Sequence, residues 1–348
     1  MPVSDKDYVA IGFNVADFSH LPLVGKDFPV FLLPDGNELA LARVERKISA
    51  GYNGFAVEVQ NVSLKDDLKR RDITINSIAY DEETNTFIDP FNGMDDLKNK
   101  LLRHTSKAFV EDPLRVLRIA RFRAKYGYQW QIHPTTKKLI STMKKEMQSL
   151  QKERVYKELE KVMELENSYI FFNTLLDLGM LEIIFPNIYN LSTCHKDNKN
   201  IFEHAMNLLQ AFSNDSIVIK FTALYYYIPN HDEPNIYLPN KIKKRILFII
   251  NSDKKLLVLE SLSILEIVEF FVSFRKDKTL LDDLIYFYTT CHKQEKLKEK
   301  NIIDTFDAIS SYSPKKWIDL QKTKPTPQEI HNHLDFIYSD YVKKYLII

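Results

Sequence analysis

Two patterns of apolar residues run along the chain, and one gives way to the other near residue 105. Before that point, short runs rich in β-branched and aromatic residues (8–11, 28–33, 39–42 and 55–59) are separated by turn signals such as Pro34-Asp35-Gly36-Asn37. This is the pattern of strands joined by hairpins. After it, apolar residues recur at spacings of three and four over 113–126, 139–150, 153–163, 169–178 and 203–212. That periodicity predicts helices, and strands are hard to find there. The expectation is a small α/β head on a long helical body, with no fixed-period repeat and no low-complexity segment.

Composition sets wider bounds. At 348 residues and 45% apolar content the chain is long enough for more than one folded unit, since single cores rarely grow past about 250–300 residues. Its longest apolar run falls well short of the roughly 18 residues of a membrane span, and its charged start does not have the form of a signal peptide. A cytoplasmic location without a membrane partner is therefore expected. Cys194 and Cys291 are too few and too far apart for a disulfide framework, which fits a reducing compartment. Each precedes a histidine, but chain neighbours rarely converge on one metal, so none is assigned there. The net charge of +1 excludes little, because nucleic-acid binding needs only a local basic track. The lysine-rich runs at 241–245 and 296–300 read first as solvated helix faces and second as phosphate contacts.

Candidate chemistry begins at the first strand. Asp5 and Asp7 share one face of an extended segment with Lys6 on the other. Two such carboxylates repel, and a hard divalent cation such as Mg²⁺ relieves that repulsion while accepting nucleotide phosphates as further ligands. A solvated Asp-x-Asp loop has the same local sequence. Glu38, at the start of the return strand of the 28–42 hairpin, is placed to face the same metals or simply solvent. Farther on, Arg71 offers a planar fork for phosphate oxygens, Asp72 an acceptor for a ribose hydroxyl, and Asn76 both donor and acceptor. The plainer alternative is a surface ion-pair cluster with Asp66 and Asp67. Asp112 before Pro113 has the form of a helix cap, with Arg115 three residues on.

Taken in order, Asp5-x-Asp7, Arg43-x-Glu45-Arg46, Arg70-Arg71-Asp72-x-x-x-Asn76, Asp89-Pro90-x-x-Gly93-x-x-Asp96-Leu97, Glu111-Asp112-x-x-Arg115-x-x-Arg118 and Glu153-Arg154-x-x-Lys157-Glu158 carry a resemblance. The sequence resembles the class II tRNA nucleotidyltransferases, the CCA-adding enzymes, and among them the bacterial multifunctional CCA proteins. The likeness is dense to about residue 165 and thins beyond. It implies an α/β nucleotidyltransferase head of the DNA polymerase β-like fold over 1–104, a neck with a nucleotide-selection helix over 105–165, and an all-α, tRNA-binding body and tail over 166–348. It implies addition of C, C and A to tRNA 3′ ends from CTP and ATP without a nucleic-acid template.

The resemblance also assigns roles. Asp5 and Asp7 would hold two Mg²⁺ ions, with Glu38 as a third carboxylate. Arg71, Asp72, Asn76, Arg118 and Arg121 would line the nucleotide site. Asp112 and Arg115 would read the base. C and A both offer an exocyclic amino donor beside a ring-nitrogen acceptor, whereas U and G present a carbonyl and an N–H and would leave both charged groups opposed. A cap and a base reader are compatible at Asp112, because a capped helix start is a rigid mount. Arg43, Glu45 and Arg46 would belong to a mobile loop needed for the final A. Residues 153–158 read as structural helix charges, and the tRNA acceptor arm would be gripped by shape and phosphate.

Two departures stand out. Relatives often carry an HD phosphohydrolase domain. Here a degenerate HD-like region at about 200–300 keeps His204, but the His-Asp pair falls at Tyr226-Tyr227, and His231-Asp232 reads as a loop dipeptide. Hydrolase activity is expected to be absent. The family's Gly-Gly turn and Arg-Asp pair ahead of the Asp-x-Asp strand are also absent from this sequence. The expectation is that Met1 is an internal methionine of a longer reading frame encoding such a segment, and that residues 1–348 incorporate poorly. Alternatives are a poly(A) polymerase or an A-only or CC-only relative, and a catalytically weakened tRNA-binding protein.

Overall fold

The structure is a computed structural model that describes residues 6–24, 30–47, 55–58, 62–196, 199–229, 238–292 and 299–346, without the side chains of 44–47, 55–58, 196 and 199. The described residues form two compact units, one running to Cys194 and the other starting at His195.

The first unit opens with a three-stranded sheet of β1 (Asp7–Ala10), β2 (Val30–Leu32) and β3 (Glu38–Leu41), in the order β1-β3-β2. β3 runs antiparallel to β2 and parallel to β1. The turn between β2 and β3 closes through Gly36 N–H to the Leu33 carbonyl and Leu33 N–H to the Asn37 carbonyl, both at 2.9 Å. Gly36 takes φ of 86°, which a side chain would strain. Side chains alternate along β3, so Leu39 and Leu41 join Phe31 in a small core while Glu38 faces away from it.

A second hairpin pairs β4 (Val44–Lys47) with β5 (Phe55–Glu58) in the register Val44↔Glu58. The helix α1 (Leu64–Lys69) follows, opened by a Ser63–Asp66 capping box. Next come the hairpin of β6 (Ala79–Asp81) and β7 (Thr86–Ile88), and the helix α2 (Gly93–Lys98). β8 (Leu101–Leu102) pairs in parallel with β9 (Gln131–Ile132), with α3 (Leu114–Tyr126) between them. The sequence pattern misses the β6–β7 hairpin and also β9, because two- and three-residue strands are too short to show a period.

The helix expected over 139–150 is two shorter ones, α4 (Pro134–Ser141) and α5 (Lys144–Met147). Ser141 and Thr142 account for the break. Their hydroxyls each bond a carbonyl three residues back at 2.7 Å, and Thr142 N–H and Met143 N–H close tight turns onto Leu139 and Ile140. α6 (Lys152–Met163) and α7 (Ser168–Asp177) pack on α3, whose Val116, Leu117, Ile119 and Ala120 are fully buried. Arg115, Arg118 and Arg121, spaced by three, form a band along α3. The short helices α8 (Leu181–Ile184) and α9 (Pro186–Asn190) complete the unit.

The second unit is helical. Its longer elements are α10 (Ile201–Ala211), α11 (Ile217–Tyr225), α12 (Asn240–Leu257), α13 (Ile264–Ser273), α14 (Thr279–Cys291), α15 (Glu299–Ser311) and α16 (Pro327–Tyr341). They enclose an aromatic-rich core that includes Phe212, Phe271, Phe274 and Phe287.

Candidate active site

The carboxylates come first, because the sheet register decides where they stand. Parallel pairing of β1 and β3 sets Asp7 opposite Glu38, so both side chains lie on the sheet face away from the Phe31 core. Both are exposed, and no described residue forms a hydrogen bond or ion pair with either carboxylate. Lys6 points elsewhere, with its Nζ 2.8 Å from Glu82, while its backbone N–H donates to Asn37 at 3.1 Å. Asp35 braces the turn before Glu38 by accepting from Asn37 N–H and Nδ2, and these bonds hold its carboxyl below the usual carboxylate range. Two adjacent, unmatched oxygen ligands suit a hard divalent cation. Among the described residues no cluster of three or more His, Cys, Asp or Glu is close enough to hold a metal. Asp5 lies outside the described residues, as do the side chains of Glu45 and Arg46. Arg43 is described, and its N–H donates to Asp67 at 3.3 Å.

A second group is built around two buried acids. Asp67 is fully buried and takes Arg70 Nε and Nη2 at 3.0 and 2.8 Å, with Arg71 at 3.7 Å. Asp72 is also buried. Its Oδ1 accepts from Ile73 N–H and Asn76 Nδ2 at 2.9 and 3.0 Å, and its Oδ2 from Arg118 Nε at 2.7 Å. Burial alone would raise its pKa, but the Arg118 charge and these hydrogen bonds outweigh it and hold the carboxyl below its ordinary value. In return Arg118, itself desolvated, is held above its ordinary value by Asp72. Asp72 thus spends both oxygens on holding Arg118 and Asn76. Arg71 donates to the Asn76 carbonyl at 3.1 Å, and its buried Nε has no hydrogen-bond partner among the described residues.

The third group sits at the start of α3. Asp112 Oδ1 accepts from Leu114 N–H at 3.1 Å, so it caps the helix, and its Oδ2 accepts from Arg154 Nη2 of α6 at 3.0 Å. Arg115 donates to the carbonyls of Ala108, at 2.6 Å, and of Arg70. Those bonds tie α3 to the turn that carries Arg71 and Asp72. Arg121 Nε meets Glu158 of α6 at 2.7 Å, and both side chains are largely buried. The structure therefore gathers Arg71, Asp72, Asn76 and Arg118 into one network, sets Asp112 and Arg115 beside it, and ties Arg121 to α6. Arg154 is the site residue that sequence reasoning missed. It stood in a noted charge motif, but nothing local marks a partner 42 positions away.

Both family models that match fall within the first unit. Residues 30–103 match the family of poly(A) polymerase head domains, and residues 130–191 match a probable RNA- and SrmB-binding site of polymerase A. The multifunctional CCA protein of Mannheimia succiniciproducens is 49% identical over 198 residues, covering 55% of this chain and 47% of that protein. The multifunctional CCA protein of Acinetobacter baumannii is 43% identical over 255 residues, covering 69% of this chain and 62% of that protein. A CCA-adding enzyme of Buchnera aphidicola is 42% identical over 245 residues, 66% of this chain and 58% of that enzyme.

The chain belongs to the CCA-adding enzyme family. It spans between about half and three-fifths of the length of these relatives. Solved structures agree on the fold. An apo CCA-adding enzyme superposes with a TM-score of 0.67 at 20% identity, covering 98% of this chain and 84% of that one. The Thermotoga maritima CCA-adding enzyme complexed with tRNA gives 0.64 at 19%, covering 98% and 82%. The expected nucleotidyltransferase head and helical remainder are thereby established. Among the described residues no helix is long and apolar enough to cross a membrane.

In the second unit, Tyr226, where the sequence led us to expect the place of an HD pair, belongs to a hydrogen-bond cluster. Tyr226 OH donates to Asp253 Oδ2 at 2.7 Å, and His292 Nε2 lies 3.1 Å from the same oxygen. Burial, and then the adjacent carboxylate, push the Tyr226 phenol well above its ordinary pKa. His204 Nε2 is buried without a hydrogen-bond partner among the described residues. His231 and Asp232 lie outside the described residues.

Proposed function

We propose that this protein adds C, C and A to the 3′ end of tRNA from CTP and ATP, by metal-dependent nucleotidyl transfer without a nucleic-acid template. The observation that carries this reading is the pairing, on a CCA-family scaffold, of the Asp7–Glu38 carboxylates with a rigid helix start bearing Asp112 and Arg115. Asp7, with Asp5 and Glu38, would hold Mg²⁺. Bound there, the metal lowers the pKa of an attacking hydroxyl and neutralises triphosphate charge. Arg71 and Arg118 face the phosphates, and Asp72 keeps Arg118 oriented through the 2.7 Å bond.

Asp112 and Arg115 read the base. To do so Arg115 turns one donor N–H from a carbonyl partner to the acceptor edge of C or A, exchanging one hydrogen bond for another. U and G would oppose a carbonyl to Asp112 and an N–H to Arg115, and such unmet polar pairs discriminate strongly. Residues 1–104 act as the head, 105–165 as the neck, and 166–348 as a body and tail that grip the acceptor arm, in a cytoplasmic protein.

The test is incorporation on tRNA lacking all, two or one of its terminal nucleotides, with CTP and ATP singly and together, followed by sequencing of the ends. Ordered C, C, A addition is expected. Runs of A, or C alone, would assign a poly(A) polymerase or a CC-adding relative, and binding without incorporation a tRNA-binding protein.

A further inference from the structure

We propose that Arg154 is a specificity-determining positioning residue, which fixes the Asp112 carboxylate so that it tests the exocyclic position of the incoming base. This inference rests on the base-reading role of Asp112. Both Asp112 oxygens are held from the protein side, Oδ1 by Leu114 N–H at 3.1 Å and Oδ2 by Arg154 Nη2 at 3.0 Å. The carboxylate plane therefore cannot turn or slide without breaking one of the two bonds. Each oxygen retains one lone-pair direction for a donor on the base.

Fixing that position matters because U and G also carry a donor. Their ring N–H lies one atom farther along the Watson–Crick edge than the amino group of C or A. A carboxylate free to shift by that step would accept the ring N–H and pair productively with U or G. A clamped one meets their carbonyl instead.

The clamp has a rigid base. Arg154 stands in the first turn of α6, and one turn later Glu158 grips Arg121 of α3 at 2.7 Å in a more deeply buried pair. Apolar packing between the same two helices adds to it. The position of the Arg154 backbone relative to α3 is thus set independently of its bond to Asp112.

The test is single-nucleotide incorporation into tRNA lacking its terminal residues, comparing CTP with UTP and ATP with GTP, for the full chain and for Arg154→Met, Arg154→Lys and Asp112→Ala. Arg154→Met is expected to narrow both ratios by about tenfold, the scale of one charge-assisted hydrogen bond, through faster use of UTP and GTP as well as slower use of CTP and ATP. Arg154→Lys keeps the charge and should recover part of the loss; it also carries the test if Arg154→Met does not fold. Unchanged ratios in both Arg154 variants, with Asp112→Ala narrowing them, would overturn the role of Arg154 alone. Unchanged ratios in Asp112→Ala would overturn the base-reading role beneath it.

Discussion

Replacing Asp72 by Asn is expected to destabilise the first unit by about 2 kcal/mol. The substitution keeps an oxygen for Ile73 N–H but removes the charge opposite Arg118, whose Nε sits 2.7 Å away. Removing one member of a buried ion pair commonly costs about 3–5 kcal/mol, because the other charge is stranded. Arg118 is 34% exposed, so water takes up part of its charge, and the lower figure of about 2 kcal/mol follows. For a unit of this size that corresponds to a fall of roughly 4–8 °C in melting temperature. Arg118→Met should cost a similar amount, and the double variant about 1–2 kcal/mol less than the sum of the singles, because both remove one interaction.

The same pair has a pH signature. Asp72 is held below its ordinary pKa in the folded chain. Its contribution is therefore fully present above the unfolded value of about 3.9 and is lost as pH falls through the folded value. Wild type should lose that share of stability below about pH 4, and Asp72→Asn should not. Denaturant melts at pH 7 and across that acidic range measure both effects. A cost under about 0.5 kcal/mol with additive singles, or parallel acid profiles, would refute the assignment of Asp72 as the anchor of Arg118.

What could be read in advance followed how local each signal was. The β2–β3 hairpin was legible because Pro34-Asp35-Gly36-Asn37 states its own turn, and α3 because its apolar residues recur with helical period. Glu38 could be placed at the start of a strand, but its standing opposite Asp7 depends on a parallel pairing across a long connection, which no local pattern specifies. Asp66 and Asp67 show the limit most clearly. They are chemically identical neighbours, yet one is exposed and closes the Ser63 capping box while the other is buried and binds Arg70. The Ser63–Asp66 cap is local to four residues. The burial of Asp67 is a consequence of what packs over the helix. Arg154 and Glu158 likewise read as helix-surface charges until α6 is laid against α3.

Three further outcomes are expected. Asp7→Asn should abolish incorporation of both C and A, and Glu38→Gln should reduce it, with tRNA affinity by filter binding within a few-fold of wild type; incorporation retained in both would remove the metal site from β1 and β3. Gly93→Ala should destabilise by at least about 2 kcal/mol, because a Cβ there would lie 2.3 Å from the Thr74 carbonyl oxygen and the backbone would have to move. A melting temperature equal to wild type would show that α2 shifts freely. The purified protein with Ni²⁺, Mg²⁺ or Mn²⁺ should not hydrolyse 2′,3′-cyclic nucleotides. Tyr226, expected at the place of an HD pair, is a phenol that burial and Asp253 keep protonated, and its O–H occupies the carboxylate oxygen that also faces His292. A cation would have to displace a short hydrogen bond at a fully buried acid and would find a neutral phenol where a ligand is needed. Metal-dependent turnover that is lost on Asp253→Asn would show that Tyr226 yields to a metal after all. Turnover lost on His231→Ala would instead move the hydrolase pair to 231–232 and overturn the alignment that places it at 226–227.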